Sequence, residues 1–274
     1  MNYKKYFFSN MYLDEMFKPG QIIKSKNRNP VLDKGRHSRA RLGFILMSTD
    51  LAAESDFFDI APKDVAVHVT RLKTDDYTTK ETLSKHIEFM ADAASRIQRD
   101  TKPNVISYSC TSGSIVIGED RVKEEIKKGA PYAIPMTLVT GVIDALKELK
   151  IKNLVVGTPY LDEINTKEAE FLFNKGFSVL NIQGLNLTKG IEFGTVTPDY
   201  WIKFAEEINE ESADAIFLSC GGIRSTEVIE QIEKKIGKPV ITSNQAQMWS
   251  CLRRAGVEDK ISGFGRLFNH QLHI

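Results

Sequence analysis

The chain predicts an α/β fold of two similar lobes, each a mostly parallel sheet flanked by helices, with the active-site cleft between them. Three observations carry this. From Arg41 onward, apolar runs of strand length alternate with longer helical patterns, the pattern of parallel sheets covered on both faces. Two stretches nearly repeat one another: Asn104-Val-Ile-Ser-Tyr-Ser-Cys110-Thr-Ser-Gly-Ser114 and Ala215-Ile-Phe-Leu-Ser-Cys220-Gly-Gly-Ile-Arg-Ser225. Their spacing also repeats, with 61 positions from Thr49 to Cys110 and 62 from Thr158 to Cys220. A shared period of this kind marks a duplicated unit.

The expected strands are Leu42–Met47, Val65–Val69, Asn104–Ser109, Asn153–Gly157, Ser178–Ile182, Ala215–Ser219 and two Pro-led strands ending at Thr, Pro135–Thr137 and Pro239–Thr242. Between them helices are expected over Thr79–Arg99, Gly118–Lys128, Val142–Lys150, Thr166–Lys175, Pro198–Glu210, Ser225–Gly237 and Asn244–Ala255. In the first of these, Leu83, Ile87, Met90, Ala94 and Ile97 recur at helical spacing and form an apolar stripe. Pro198 suits a first helical turn after Thr197, an expected N-cap. The boundaries that follow are an N-terminal extension over 1–40, a first lobe over 41–150 completed by part of the final helix, a second lobe over 151–256, and a tail over 257–274.

A chain of 274 residues with 42% hydrophobic and 27% charged residues has enough apolar material for an extensive core. A net charge of +1 supplies no basic field for nucleic acid. No apolar run reaches the roughly 20 residues needed to cross a bilayer, so no membrane partner is expected. Three cysteines make no disulfide framework, and no signal-peptide pattern is visible, which points to a reducing cytoplasm. Charge is uneven only at the front, where ten basic residues up to Arg41 face Asp14, Glu15 and Asp33. Tyr3 to Phe17 reads as an amphipathic arm, followed by turns at Lys18-Pro-Gly20 and Lys26–Pro30. Packing on a neighbour or the domain surface, an anionic partner and a targeting role all fit it.

The chemistry gathers at the two Ser-Cys ends. Open α/β sheets place ligand-contacting groups at the carboxyl ends of their strands. Cys110 and Cys220 therefore read as thiols on opposite walls of one site. One as thiolate removes a proton from carbon or attacks it, and the other delivers a proton to the opposite face, so neither a metal nor an organic cofactor is required. Helix N-terminal amides favour the thiolate. Thr111, Ser112 and Ser114 can donate hydrogen bonds to a substrate carboxylate. Gly113, Gly221 and Gly222 permit close backbone approach and unusual φ values. Cys251, inside a helical stretch, reads as core packing. His37, His68, His86, His270 and His273 flank no nucleophile elbow, and no CxxC pair or HExxH run suggests zinc.

Cys110-Thr-Ser-Gly-Ser-Ile-Val-Ile-Gly118, Thr158-Pro159-Tyr160 and the Ser219-Cys220 turn resemble the aspartate/glutamate racemase superfamily. The resemblance is to its maleate cis-trans isomerase and arylmalonate decarboxylase branch, and most of all to the ectoine-utilisation protein of the EutA type. The EutA likeness lies in Ser48-Thr49-Asp50-Leu51 with Glu54 and Asp56, and in Thr242-Ser243-Asn244-Gln245-Ala246 with Trp249 and Cys251-Leu252-Arg253. It covers about Arg41 to Gly256. By this resemblance Cys110 matches the nucleophile or base, Cys220 the proton donor from the other side, and Tyr160 a hydroxyl that binds substrate carboxylate. The resemblance also implies an isomerase without cofactor that assembles as a homo-oligomer, dimer or tetramer.

Three positions depart from the maleate isomerase pattern. Thr49-Asp50 stands where Asn is usual, Lys189-Gly190 occupies the region of a later Asn, and Gly221-Gly222 replaces the usual Thr after the second cysteine. Asp50 would repel a second carboxylate and hold an ammonium group, or else serve as a helix N-cap. The expected function is racemisation or isomerisation of a small carboxylate, led by an ectoine-pathway or related amino acid. Maleate cis-trans isomerisation is the alternative, and a non-catalytic carboxylate-binding protein the second. Thr49, Asp50, Thr111, Ser112, Tyr160, Gly221 and Gly222 are the expected substrate contacts. Keeping both cysteines argues against decarboxylation.

Overall fold

A computed structural model describes residues 27–33, 35–97 and 100–273. The chain divides into two compact units, Met1–Gly35 and Arg36–Ile274. In the first, the described residues are exposed and irregular, with the Gly35 N–H donating to Asp33 Oδ1 at 2.7 Å. The expected amphipathic arm at Tyr3–Phe17 and the turn at Lys18–Gly20 lie outside the described residues.

The second unit holds both sheets. Strands β1 (Ala40–Met47), β2 (Val65–Leu72), β3 (Val105–Tyr108) and β4 (Ile134–Thr137) form one, in the order β2-β1-β3-β4. Strands β5 (Asn153–Thr158), β6 (Ser178–Gly184), β7 (Ala215–Leu218) and β8 (Val240–Thr242) form the other, in the order β6-β5-β7-β8. Every pairing is parallel. The two orders are the same permutation, so the repeat read in the sequence is a repeat of topology. Inner strands β3 and β7 are buried throughout, whereas the edge strand β6 leaves Ser178, Leu180 and Gln183 exposed. Helices on both faces explain why the inner strands are mostly apolar, β7 at every position.

Matching devices close the two lobes. Asn104, six residues before Cys110, accepts the Arg41 N–H at 2.9 Å, and Asp214, six before Cys220, accepts those of Lys152 and Asn153 at 2.9 and 2.8 Å. Thr137 and Thr242 end the Pro-led strands and cap the helices that follow, accepting the Thr140 and Gln245 N–H groups. Those two helices, Leu138–Glu148 and Ser243–Arg254, cross at Gly141, where a Cβ would lie 2.7 Å from Gln247 Cα. Glycine is required by that approach. The Ser243–Arg254 helix is buried over all but its last residue and also packs on the Ala53–Ile60 helix of the first lobe.

Some elements differ from expectation. The single helix expected over Thr79–Arg99 is two, Lys80–Ser84 and Ile87–Ser95. Between them the hydrogen bonds tighten to i−3, from Lys85 N to Thr82 O and from His86 N to Leu83 O, and His86 turns inward to a buried tyrosine. Ser225–Gly237 resolves into a 3-10 turn, Thr226–Val228, and a helix, Ile229–Ile236. The Leu138 helix starts four residues before the expected Val142 because Thr137 caps it. Thr197 stands at the N-cap of Pro198–Ile208 but its side chain makes no capping bond. Three helices, Ala53–Ile60, Thr111–Ile117 and Gly190–Thr195, lie outside the expected helical ranges.

Candidate active site

In both sheets the strand order reverses between two inner strands, β1 with β3 and β5 with β7, and ligands bind at the carboxyl ends of such pairs. The segments that leave these four ends are Thr49-Asp50, Ser109-Cys110, Pro159-Tyr160 and Ser219-Cys220. The structure brings them together around one small cavity of about 50 Å³. Thr49, Asp50, Cys110, Thr111, Ser112, Tyr160, Cys220, Gly221 and Gly222 all line it. One water needs roughly 10–15 Å³ measured this way, so the space takes about four waters and suits a carboxylate of a few carbons.

Cys110 is the N-cap of the Thr111–Ile117 helix. Its Sγ accepts the Gly113 N–H at 3.2 Å and lies 3.6 Å from Ser112 Oγ. Burial raises the thiol, while Gly113, Ser112 and the Tyr108 hydroxyl draw it back down. Ser114 is not free for substrate: its hydroxyl donates to the Cys110 carbonyl, and it is wholly buried. The first N–H groups of the helix, on Thr111 and Ser112, have no acceptor within it.

Cys220 is built differently. It carries φ 150°, a positive value that side chains rarely adopt, and the glycines after it do not. The unusual φ expected of Gly113, Gly221 and Gly222 is thus absent, and the strain sits on the cysteine. The close approach does hold at Gly221, where a Cβ would lie 3.1 Å from Ser109 O and 3.2 Å from Asn244 Oδ1. Cys220 Sγ accepts the Gly222 N–H at 3.3 Å and meets the Tyr160 hydroxyl, yet burial pushes this thiol up to about 12.

One hydroxyl ties the two turns. Ser243 Oγ accepts the Cys220 N–H at 3.0 Å and is 2.9 Å from Thr111 Oγ1. The next residue, Asn244, donates to Gly221 O at 2.8 Å and to Asp56 Oδ2 at 2.7 Å. Asp56 is buried and pushed up to about 7. These ties come from the buried helix, and sequence reasoning, which placed Ser243 and Asn244 only in a motif, assigned them no role.

Asp50 serves two ends at once. Its Oδ1 accepts the Ala52 and Ala53 N–H groups at 3.1 and 2.9 Å, at the start of the Ala53–Ile60 helix. Its Oδ2 is buried without a partner, beside the cavity. Burial pushes this carboxyl up to about 6 against the pull of the two amides and Arg71. Arg71 also fixes the loop, donating to Met47 O and Asp50 O and pairing with Glu54 at 2.6 Å.

Other lining residues were missed. Thr74, Asp75, Tyr77, Thr78, Thr82 and His86 come from the segment after β2, and Gly190 and Phe193 from the segment after β6. The Thr78 N–H donates to Thr188 O at 2.9 Å, and Lys189 Nζ stands 5.3 Å from the Tyr77 ring centre, so the two segments close over the pocket. Their place after paired edge strands of a duplicated sheet was the available signal. Cys251 lies in the core, fully buried against Met136 Sδ at 3.9 Å. Among the described residues no group of three His, Cys, Asp or Glu is arranged for a metal, and no helix is long and apolar enough to cross a membrane.

A duplicated parallel α/β frame with a thiol from each half on one pocket defines the aspartate/glutamate racemase-like class, in its maleate isomerase and arylmalonate decarboxylase branch. Residues 66–268 match the arylmalonate decarboxylase family, and the chain belongs to it. The arylmalonate decarboxylase of Bordetella bronchiseptica is 30% identical over 202 residues, 70% of this chain and 81% of that protein. The maleate isomerase of Alcaligenes faecalis is 20% identical over 245 residues, 84% of this chain and 96% of that one. Among solved structures, the Nocardia farcinica maleate cis-trans isomerase with a covalently bound succinylcysteine intermediate superposes with a TM-score of 0.78 at 21% identity, over 84% of this chain and 98% of that one. The chain is an enzyme of this branch, whose relatives are decarboxylases and isomerases.

Proposed function

We propose that this enzyme isomerises a small carboxylate bearing an ammonium group, without a cofactor, using Cys110 and Cys220 as base and acid. The observation that carries the reading is the convergence on one cavity of a thiol from each lobe and the unpartnered Oδ2 of Asp50. The substrate carboxylate meets the Ser112 hydroxyl and the N–H groups of Thr111 and Ser112, beside the Tyr160 ring, whose hydroxyl is held by Cys220. Asp50 is ionised above about pH 6 and attracts the ammonium group. The thiolate of Cys110 then takes the α-proton while the thiol of Cys220 gives its own to the opposite face, inverting the carbon. An ectoine-pathway or related amino acid is the leading substrate, on the likeness of the Ser48–Glu54 and Thr242–Arg253 segments.

A second reading is maleate cis-trans isomerisation, favoured by the names of the relatives from Alcaligenes faecalis and Nocardia farcinica. There the Cys110 thiolate adds to the alkene, the new single bond rotates, and elimination returns the thiolate and releases fumarate. Asp50 weighs against it near neutrality, since an ionised carboxylate repels the second carboxylate of maleate. Incubation with small amino acids in deuterium oxide decides: solvent deuterium enters the α-position under the first reading. Conversion of maleate to fumarate with no α-exchange overturns it in favour of the second.

A further inference from the structure

Tyr108 precedes Cys110 by two residues at the end of β3, so the two side chains leave on the same face. The Tyr108 ring is fully buried, and its Oη lies 2.6 Å from His86 Nδ1. His86 is only 4% exposed, yet it lines the cavity. The Tyr108 hydroxyl and the Cys110 sulfur both crowd Gly113, and the hydroxyl draws the Cys110 thiol down. A Cβ there would stand 2.1 Å from Tyr108 Oη and 3.0 Å from Cys110 Sγ, so both atoms converge on the space a side chain would take. Glycine at this point of the helix is the condition for the hydroxyl to reach the thiol.

We propose that His86 and Tyr108 are positioning residues that form a hydrogen-bonded chain to Cys110 and hold its thiolate. The inference rests on the reading of Cys110 as the reactive thiol. A neutral imidazole has one N–H donor and one acceptor nitrogen, and a phenol has a single hydrogen to donate. With the proton on Nδ1, His86 donates to Tyr108 Oη, and Tyr108 is left with its own hydrogen for the sulfur. Burial drives His86 down to about 4, so the ring is neutral at working pH and the chain carries no net charge. The thiol proton itself leaves to water in the pocket.

The surroundings give the chain something to oppose. Asp50, Cys220 and Tyr160 face Cys110 across the pocket, and a charge on Asp50 disfavours a second anion there. The Gly113 N–H and Ser112 hydroxyl favour the thiolate, and Tyr108 adds a third donor. His86 faces Tyr108 and, on the other side, Asp75.

The test is the pH dependence of Cys110 alkylation by iodoacetamide in the full-length protein, with each cysteine read separately by peptide mass. Tyr108→Phe removes one oxygen and is expected to raise the labelling midpoint by about one pH unit, slowing labelling near neutrality about tenfold. His86→Leu shifts the midpoint the same way. His86→Asn, whose amide nitrogen stands near the Nδ1 position, restores the labelling rate to within about threefold of the parent. A purely structural bond between two buried polar groups would lower the unfolding temperature in all three variants and leave the midpoint where it was, and that result overturns the proposal. Should Tyr108→Phe fail to fold, the contrast between His86→Leu and His86→Asn decides alone. No substrate enters the assay. If Cys110→Ser retained turnover while the midpoint still moved with Tyr108, the proposed function would fall and the chain would stand.

Discussion

Cys110 and Cys220 occupy the same place in their lobes and are held there by different means. Cys110 has an ordinary extended backbone, opens a helix and meets three donors. Cys220 sits at φ 150°, is followed by a glycine turn and a 3-10 turn, and meets two donors. Its surroundings withhold charge as well: Glu168, buried near Ser219 and Tyr160, is pushed up to about 7. Duplication supplied two thiols at equal positions, and local chemistry set them apart. Within the proposed reaction, Cys110 is the sulfur that ionises and Cys220, pushed up to about 12, the one that keeps a proton to give.

The comparison breaks most sharply at the sulfurs. Cys110→Ser and Cys220→Ser are each expected to lower kcat by about 10³-fold, in the range of a lost acid or base, measured by α-deuterium exchange. Equal labelling of both thiols by iodoacetamide at neutral pH would erase the proposed division of labour. Next in size, Asp50→Asn is expected to reduce kcat/KM for an amino-acid substrate about 100-fold while improving maleate binding, read from steady-state kinetics on both. Ser243→Ala unties the two turns at once; an unpaired buried N–H costs about 1–3 kcal/mol, and kcat is expected to fall about tenfold with a lower unfolding temperature.

Two smaller effects sharpen the contrast. Glu168 has a folded value of about 7 against an ordinary 4.5, so the unfolded chain releases its proton first as pH rises. The sign follows from linkage: this group costs stability increasingly from about pH 4.5 to about pH 7, and the full cost remains above. Glu168→Gln is therefore expected to raise Tm by about 2 °C or more at pH 8 relative to its effect at pH 5, checked by calorimetry at both. Cys251→Ala, in the core, is expected to leave kcat within about twofold and cost about 1 kcal/mol. A loss of turnover like that of Cys110 would show a third working thiol.

Much of the frame was legible in the chain because local rules govern it. The strands of both sheets follow from apolar runs and the duplication from the 61- and 62-residue spacing, whereas the Thr137 cap that starts its helix at Leu138 was not read. The cysteine turns followed from where parallel sheets bring their ends. What escaped depends on tertiary neighbours. Ser243 reaches Thr111 across 132 positions, and Gln247 reaches Ser107 across 140, which no local pattern foretells. His86 lay within a continuous helical stripe, and only the tightened turn at Lys85 and its meeting with Tyr108 set it apart. The Ala53–Ile60 helix is short, with the polar Asp56 on its buried face and Phe58 exposed, so its apolar stripe is interrupted.

The bridge between Thr78 and Thr188, with Lys189 resting on Tyr77, roofs the reaction chamber with one strand-like bond and one cation against a ring. In the racemisation proposed above, that roof stands between the pocket and bulk water, so a variant that loosens it is expected to let more solvent deuterium into the α-position per turnover.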